Sequence, residues 1–225
     1  MTQGRARRQP FVSCAVPHFW SARRSVIVAA LMEQATAIAL IRRVLDHLGR
    51  GTTDMMPRGS VRPVAFYTDA EQFARERAAI FRRLPVAIGY SAEVAKPGDF
   101  VTHDRSGVPL LAVRGRDGVL RGFVNACRHR GTRVEWEACG KGKRAFVCPY
   151  HAWTYGDDGA LTHIPHAEGF SDVDRTQHGL MPVRVAEHTG LVWAVPDPAW
   201  KGDLGAALGP LAPELDTLEI GRAHV

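Results

Sequence analysis

Apolar residues recur at helical spacing in the first part of the chain. Within residues 34–48 they lie three, four and three positions apart, and Gly49 follows as a stop signal. The positions are Ile38, Ile41, Leu45 and Leu48. A period close to 3.6 with a terminal glycine predicts one amphipathic helix over this segment.

A second helix is predicted further along. The Thr-x-x-Glu sequence at residues 68–71 is typical of a capping box, so we expect a helix from there to Leu84. Its apolar side chains are expected to be buried: Phe73, Ile80, Phe81 and Leu84. Residues 51–62, rich in Gly, Thr, Pro and Arg, are interpreted as a linker between the two helices.

The pattern changes to short apolar stretches after residue 85. The predicted strands span residues 86–91, 99–103, 110–114, 119–125, 144–148, 153–155, 183–188 and 191–195. Turn sequences such as Asp-Gly at 117–118 and Thr-Gly at 189–190 join neighbouring strands. Short strands at such spacing indicate an antiparallel β-sandwich. The expected fold class is therefore mainly β with N-terminal helices.

The distribution of charge argues against a nucleic-acid partner. The chain has 225 residues and a formal net charge of +6. Residues 1–58 carry nine arginines against three acidic residues, whereas residues 59–225 carry 20 basic and 20 acidic residues. A neutral body without a basic stripe does not favour a polyanion. The apolar run at 25–32 is too short to span a bilayer, so no membrane partner is expected.

Two short peptides each combine one cysteine with one histidine. Cys127 and His129 form Cys-x-His, and Cys148 and His151 form Cys-x-x-His. A Rieske-type [2Fe–2S] cluster has two cysteine ligands on one iron and two histidine ligands on the other. Structural zinc sites usually group Cys-x2–4-Cys before His-x3–5-His, so the alternating order here suits zinc poorly. A zinc-stapled binding module is kept as an alternative.

The sequences around these peptides extend the assignment to a family. Residues 125–132 (NACRHRGT) and 146–155 (FVCPYHAWTY) resemble the Rieske signature of ring-hydroxylating oxygenase α subunits. The resemblance implies a Rieske-type antiparallel β-sandwich in which two hairpin loops hold the cluster through Cys127, His129, Cys148 and His151. The matching flanks around the cluster are Arg128, Arg130, Gly131, Tyr150 and Trp153. Ala152 departs from the family, which commonly has glycine there.

Rieske proteins of respiratory chains carry one further cysteine in each loop, and a disulfide joins the two. The matching positions here are Thr132 and Tyr150, so that brace is excluded. The remaining cysteines, Cys14 and Cys139, are expected to be free thiols, which favours a reducing, cytoplasmic compartment.

The resemblance implies the electron-accepting part of an oxidoreductase. Electrons from an NAD(P)H-dependent reductase, with or without a ferredoxin, would pass through the cluster to a mononuclear Fe(II) that activates O₂ on an aromatic substrate. That iron belongs to a catalytic domain absent here, so no catalytic residue is assigned and the fragment alone is not expected to turn over. A homotrimer is implied for the full-length protein, with or without a β subunit. The alternative is a stand-alone Rieske ferredoxin, an electron carrier.

The expected organisation follows from these segments. It comprises a non-native or disordered extension at 1–31, a helical arm at 32–85, the Rieske domain at 86–200, the start of a linker at 201–219, and a hexapeptide at 220–225 that reads as a translated sequencing adapter. Met32 is the expected native start, and the natural chain is expected to continue beyond residue 219. The His-x-x-His-x-Glu stretch at 163–168 is not favoured as a second metal site, because Pro165 interrupts regular structure.

Overall fold

The computed structural model describes residues 34–55, 58–209 and 211–216. The predicted extension at 1–31 and the hexapeptide at 220–225 lie outside these described residues. The helices are α1 (Gln34–Arg50), α2 (Ala65–Thr68), α3 (Ala70–Glu76), α4 (Leu204–Leu208) and α5 (Leu211–Asp216). A π-helical turn, Arg77–Phe81, continues α3. In the part of the chain that the structure covers, no helix has both the length and the apolar character needed to cross a bilayer.

The helical arm forms as predicted in type but differs in detail. The α1 helix is present, although none of its residues is buried. The cap of α3 is Asp69, whose carboxylate accepts a hydrogen bond from the backbone N–H of Gln72 at 2.6 Å. The prediction of a capping box starting at Thr68 is therefore wrong by one residue. Aspartate is the stronger N-cap, and Thr68 instead ends α2.

The expected burial of the second helix is also wrong. Its apolar side chains remain between 43% and 57% exposed: Phe73, Ile80, Phe81 and Leu84. Helical periodicity identifies the apolar face of a helix, but it carries no information on whether another element covers that face.

Eleven strands form three antiparallel sheets among the described residues. In chain order they are β1 (Val86–Tyr90), β2 (Phe100–His103), β3 (Leu110–Arg114), β4 (Leu120–Val124), β5 (Cys139–Gly140), β6 (Ala145–Val147), β7 (Thr154–Gly156), β8 (Leu161–His163), β9 (Pro182–Val183), β10 (Val185–His188) and β11 (Leu191–Ala194). The sheet orders are β1–β11–β10, β5–β2–β3–β4–β9 and β6–β7–β8. The antiparallel, mainly β prediction is confirmed, and so is the β10–β11 hairpin, which pairs Val185 with Ala194. The two-residue strand β5 and the short strand β8 were not predicted, and the strand predicted at 183–188 is divided between β9 and β10, which belong to different sheets.

The β3 strand separates two apolar cores. Its residues Leu110 and Ala112 face the core shared with the β1–β11–β10 sheet. The alternate residues, Leu111 and Val113, face the core beneath the β6–β7–β8 sheet. A strand buried on both faces reads as a continuous apolar run, which explains why residues 110–113 lack polar positions.

One ion pair ties the β6–β7–β8 sheet to the rest of the domain. Asp157, in the turn after β7, accepts hydrogen bonds from the backbone N–H and the guanidinium of Arg116, at 3.0 and 3.2 Å. Arg116 lies in the β3–β4 turn, so this contact holds the small sheet against the large one.

Candidate metal centre

The two Cys/His peptides lie in loops of similar construction. The first follows β4: the N–H of Gly131 donates to the carbonyl of Cys127 at 2.8 Å, and the N–H of Cys127 donates to Thr132 at 2.7 Å. The second joins β6 to β7: the N–H of Ala152 donates to Cys148 at 2.9 Å, and that of Cys148 donates to Trp153 at 2.8 Å. Both loops are therefore closed by backbone hydrogen bonds around a cysteine.

The left-handed backbone at position 152 explains why glycine is common there in the family that the sequence resembles. Gly131 has φ 73° and Ala152 has φ 53° in the equivalent part of the second loop. This region costs an alanine about 1 kcal/mol because its Cβ approaches the following carbonyl. Ala152 is tolerated at a small cost in stability, which is the consequence of the departure noted in the sequence.

The two thiols are buried side by side. Cys127 is 3% exposed and Cys148 is 2% exposed, and both belong to the core beneath the β6–β7–β8 sheet. Burial raises the pKa of the Cys127 thiol, and the adjacent Cys148 raises it further. Neighbouring thiolates in an apolar core require a compensating cation, and a soft metal ion bound to sulfur is the usual one.

The Tyr155 hydroxyl provides a hydrogen-bond donor beside the Cys127 sulfur. It lies 3.2 Å from Cys127 Sγ and accepts a hydrogen bond from the backbone N–H of Arg128 at 2.9 Å. Burial raises the pKa of Tyr155, so the phenol stays protonated and donates to the sulfur. The sequence alone did not assign a role to Tyr155, the last residue of the 146–155 segment. Its aromatic hydroxyl within an apolar strand was the signal that could have indicated one.

The two candidate imidazoles are also neighbours, and their rings meet edge to face. The rings of His129 and His151 have centroids 4.7 Å apart. Burial, and then the neighbouring His151 and Arg130, lower the pKa of His129. The neutral imidazole favoured in this way is the form that binds metal ions.

Aromatic side chains hold both imidazoles. Trp153, 2% exposed, stacks on His129 with centroids 4.9 Å apart and planes inclined by 8°. Tyr150, 58% exposed, lies against His151 with centroids 3.8 Å apart. Among the other predicted flanks, Arg128 and Arg130 are exposed and Gly131 provides the left-handed turn.

The donors form two pairs rather than one cage. Across the described ranges, no three His, Cys, Asp or Glu side chains converge closely enough to hold one metal ion. A tetrahedral zinc ion needs four donors around one point, whereas a binuclear cluster needs two protein donors on each iron. The Nδ1 atom of His129 is buried without a hydrogen-bond partner, so its lone pair is available to a metal. The residues therefore fit a [2Fe–2S] group better than zinc.

Two other groups considered in the sequence can be located. The structure places Cys139 in a disulfide, so the expectation that it is a free thiol is wrong; Cys14 lies outside the described residues. In the 163–168 stretch, His166 Nδ1 and Glu168 Oε1 are 3.6 Å apart, and both side chains are highly exposed.

Asn125 is a structural residue that the sequence did not single out. It is 2% exposed, and its side chain makes three hydrogen bonds to the backbone of Val134 and Glu135, at 2.7 to 3.1 Å. These bonds close the base of the first ligand loop. A buried asparagine next to a ligand peptide was the only sequence signal for this role.

Replacing Tyr155 by Phe is expected to lower the reduction potential of the centre. The substitution removes the donor to Cys127 Sγ, and the reduced, more negative state loses more stabilisation than the oxidised state. A hydrogen bond to a charged group contributes about 1.5–3 kcal/mol in total. Only the difference between the two oxidation states shifts the potential, and a difference of about 1 kcal/mol corresponds to about 40 mV for one electron. Redox titration followed by visible absorption measures the shift. An unchanged or raised potential in Tyr155→Phe, with the absorption bands retained, would contradict this role.

Comparison with known proteins places this geometry in a family. The model of the Rieske [2Fe-2S] domain matches residues 85–189. The carnitine monooxygenase oxygenase subunit of Escherichia coli (strain K12) is 36% identical over 164 residues, which cover 70% of this chain and 44% of that protein. The chlorobenzene dioxygenase subunit alpha of Cupriavidus sp. (strain PS12) is 36% identical over 158 residues, covering 70% of this chain and 32% of that protein.

Solved structures show the same relationship. The apo form of the quaternary ammonium Rieske monooxygenase CntA superposes with a TM-score of 0.62 at 32% identity, covering 69% of this chain and 45% of that one. Naphthalene 1,2-dioxygenase from Rhodococcus sp. has a TM-score of 0.62 at 29% identity, covering 81% of this chain and 40% of that one. The chain thus spans less than half the length of these relatives.

Proposed function

Because the chain belongs to the Rieske [2Fe–2S] family of oxygenase α subunits, we propose that it accepts single electrons at a cluster held by Cys127, Cys148, His129 and His151. It passes them on to a mononuclear iron in the catalytic part of the full-length protein. The observation that supports this ligand set is the arrangement of two buried thiols and two facing imidazoles as separate pairs.

The chain's own residues set the environment of the bound group. The [2Fe–2S] cluster supplies one-electron redox chemistry when bound. Cys127 and Cys148, both buried, would hold one iron of the cluster away from water, and the Tyr155 hydroxyl donates a hydrogen bond to the Cys127 sulfur. His129 and His151 are only partly buried, so the imidazole side would be the one accessible to an electron donor or acceptor.

The wider activity is part of the same proposal. A reductase, with or without a ferredoxin, delivers the electrons, and the full-length protein is an oligomer that activates O₂. The aromatic substrate expected from the sequence agrees with relatives named for chlorobenzene and benzene, whereas others are named for carnitine and glycine betaine. The division into arm, Rieske domain and linker belongs to the proposal as well.

The relatives support the oxygenase interpretation over a stand-alone ferredoxin. They are oxygenase subunits, and their alignments cover 70% of this chain, more than the matched Rieske domain alone. Genomic sequence beyond codon 219 separates the two interpretations. A downstream catalytic region with an acidic residue and two histidines supports the oxygenase subunit, and a stop codon supports the carrier.

The reduction potential is expected in the lower part of the Rieske range and is expected to fall as pH rises. A histidine that held the cluster would carry its remaining proton on the ring nitrogen not bound to iron. The oxidised cluster would withdraw more charge from the ring and make that N–H more acidic, so at high pH reduction would take up a proton. Near neutral pH we expect about −150 mV rather than about +300 mV. Redox titration of the purified chain across pH measures both; a positive potential, or one independent of pH up to strongly alkaline conditions, would rule out the oxygenase-type centre.

A further inference from the structure

An ion pair with one buried partner joins the segment after the first ligand loop to the segment before the second. The carboxylate of Glu135 pairs with the ammonium of Lys143. The Glu135 side chain is 5% exposed and that of Lys143 is 35% exposed. A carboxylate taken out of water is costly unless a cation and hydrogen-bond donors compensate it, so this arrangement indicates a specific structural role.

Glu135 is rigidly connected to the first ligand loop. Its carboxylate also accepts hydrogen bonds from the backbone N–H groups of Trp136 and Glu137, both at 2.9 Å. Its own backbone N–H and carbonyl are bound by the Asn125 side chain, at 3.1 and 2.7 Å. Asn125 stands two residues before Cys127. The position of the Glu135 carboxylate is therefore coupled to the base of the first loop.

Lys143 contacts the strand that leads into the second loop. Its backbone N–H donates to the carbonyl of Gly98 at 2.8 Å, and its ammonium lies 5.3 and 5.5 Å from the ring centroids of Phe100 and Phe146. Phe146, fully buried, belongs to β6, the strand that leads into Cys148. The ammonium thus rests on the aromatic pair that anchors the start of the second loop.

We propose that the Glu135–Lys143 ion pair is a non-covalent brace that sets the spacing of the two ligand loops for the cluster. The pair bypasses the intervening residues 136–142 and joins the end of one loop directly to the start of the other. Thr132 and Tyr150 leave these two loops without cysteines for a covalent link between them. Both residues of the pair are positioning residues, and the inference rests on the proposed ligand set.

The test compares cluster retention in four variants of the whole chain. Glu135→Gln and Lys143→Met each leave one partner without its counter-charge, and the double variant removes both charges. Each single variant is expected to lose its visible absorption about tenfold faster than the wild type in the presence of an iron chelator. Lys143→Arg keeps the ion pair and is expected to stay within about threefold of the wild type. The double variant leaves no charge unpaired but lacks the brace, so it is also expected to lose the cluster faster than the wild type.

The reduction potential shows whether the two charges act on the cluster or only on the stability of the fold. Loss of the cation in Lys143→Met is expected to lower the potential, and loss of the anion in Glu135→Gln to raise it, with the double variant close to the wild type. Arg116→Met is the matched control. It also removes the cation facing a buried carboxylate, that of Asp157, which lies in the turn after β7 and outside both ligand loops. The Arg116 side chain is 71% exposed, so its loss is expected to have little effect. This variant is expected to retain the wild-type rate and potential.

The outcomes discriminate between the two proposals. Single variants that keep the wild-type rate of cluster loss, or an equally fast loss in Arg116→Met, would overturn the brace. A double variant that keeps the wild-type rate would overturn it too, because the unpaired charge alone would then explain the single variants. A wild-type chain that shows no visible absorption after reconstitution with iron and sulfide would instead contradict the proposed function.

Discussion

Replacing Cys127 or Cys148 by Ser is expected to abolish the visible absorption of the reconstituted protein. A serine hydroxyl is a hard, weakly acidic ligand that cannot replace a thiolate on the buried iron. Both thiols lie in one core, so the loss of either leaves the inner iron with a single sulfur ligand from the protein. Absorption spectra and iron content per chain, measured after identical reconstitution, give the result.

The matched control is Cys139→Ser. Cys139 packs against the other core, between the β1–β11–β10 sheet and the large sheet, and is not among the proposed ligands. This variant is expected to keep the spectrum of the wild type. Loss of the bands in Cys139→Ser, or their persistence in Cys127→Ser, would mean that the ligand assignment is wrong.

Truncating Trp153 to Ala is expected to cause the largest loss of stability among simple substitutions at the site. The indole is 2% exposed, stacks on His129 and meets the edge of Phe170 with centroids 5.6 Å apart. Removing a buried tryptophan leaves a cavity and costs about 3–5 kcal/mol of unfolding free energy. His129 also loses the surface that sets its ring plane. Chemical denaturation followed by circular dichroism measures the change.

Trp136→Ala is the natural comparison for that experiment. Trp136 is 64% exposed, and its ring contacts the guanidinium of Arg133 at 5.1 Å. Its removal is expected to change the unfolding free energy by no more than about 0.5 kcal/mol. Similar losses in the two variants would show that the packing of Trp153 on His129 contributes nothing particular to the fold.

The grouping of the proposed ligands into two loops was predictable because residue type and spacing are local properties. Cys127 and His129, and likewise Cys148 and His151, are separated by one or two residues, so each pair belongs to one loop whatever the rest of the chain does. Short apolar stretches separated by turn sequences likewise predicted most of the strands. The turn sequence at 189–190 predicted the pairing of β10 with β11.

Contacts between distant segments could not be predicted in this way. Tyr155 reaches the Cys127 sulfur across 28 positions, and Arg116 reaches Asp157 across 41. The exposure of α1, the choice of Asp69 over Thr68 as a cap, and the Glu135–Lys143 pair depend on which elements pack together. Periodicity and composition describe each segment alone. Burial and hydrogen bonding across the fold arise only when those segments meet, and they set the environment of the four proposed ligands.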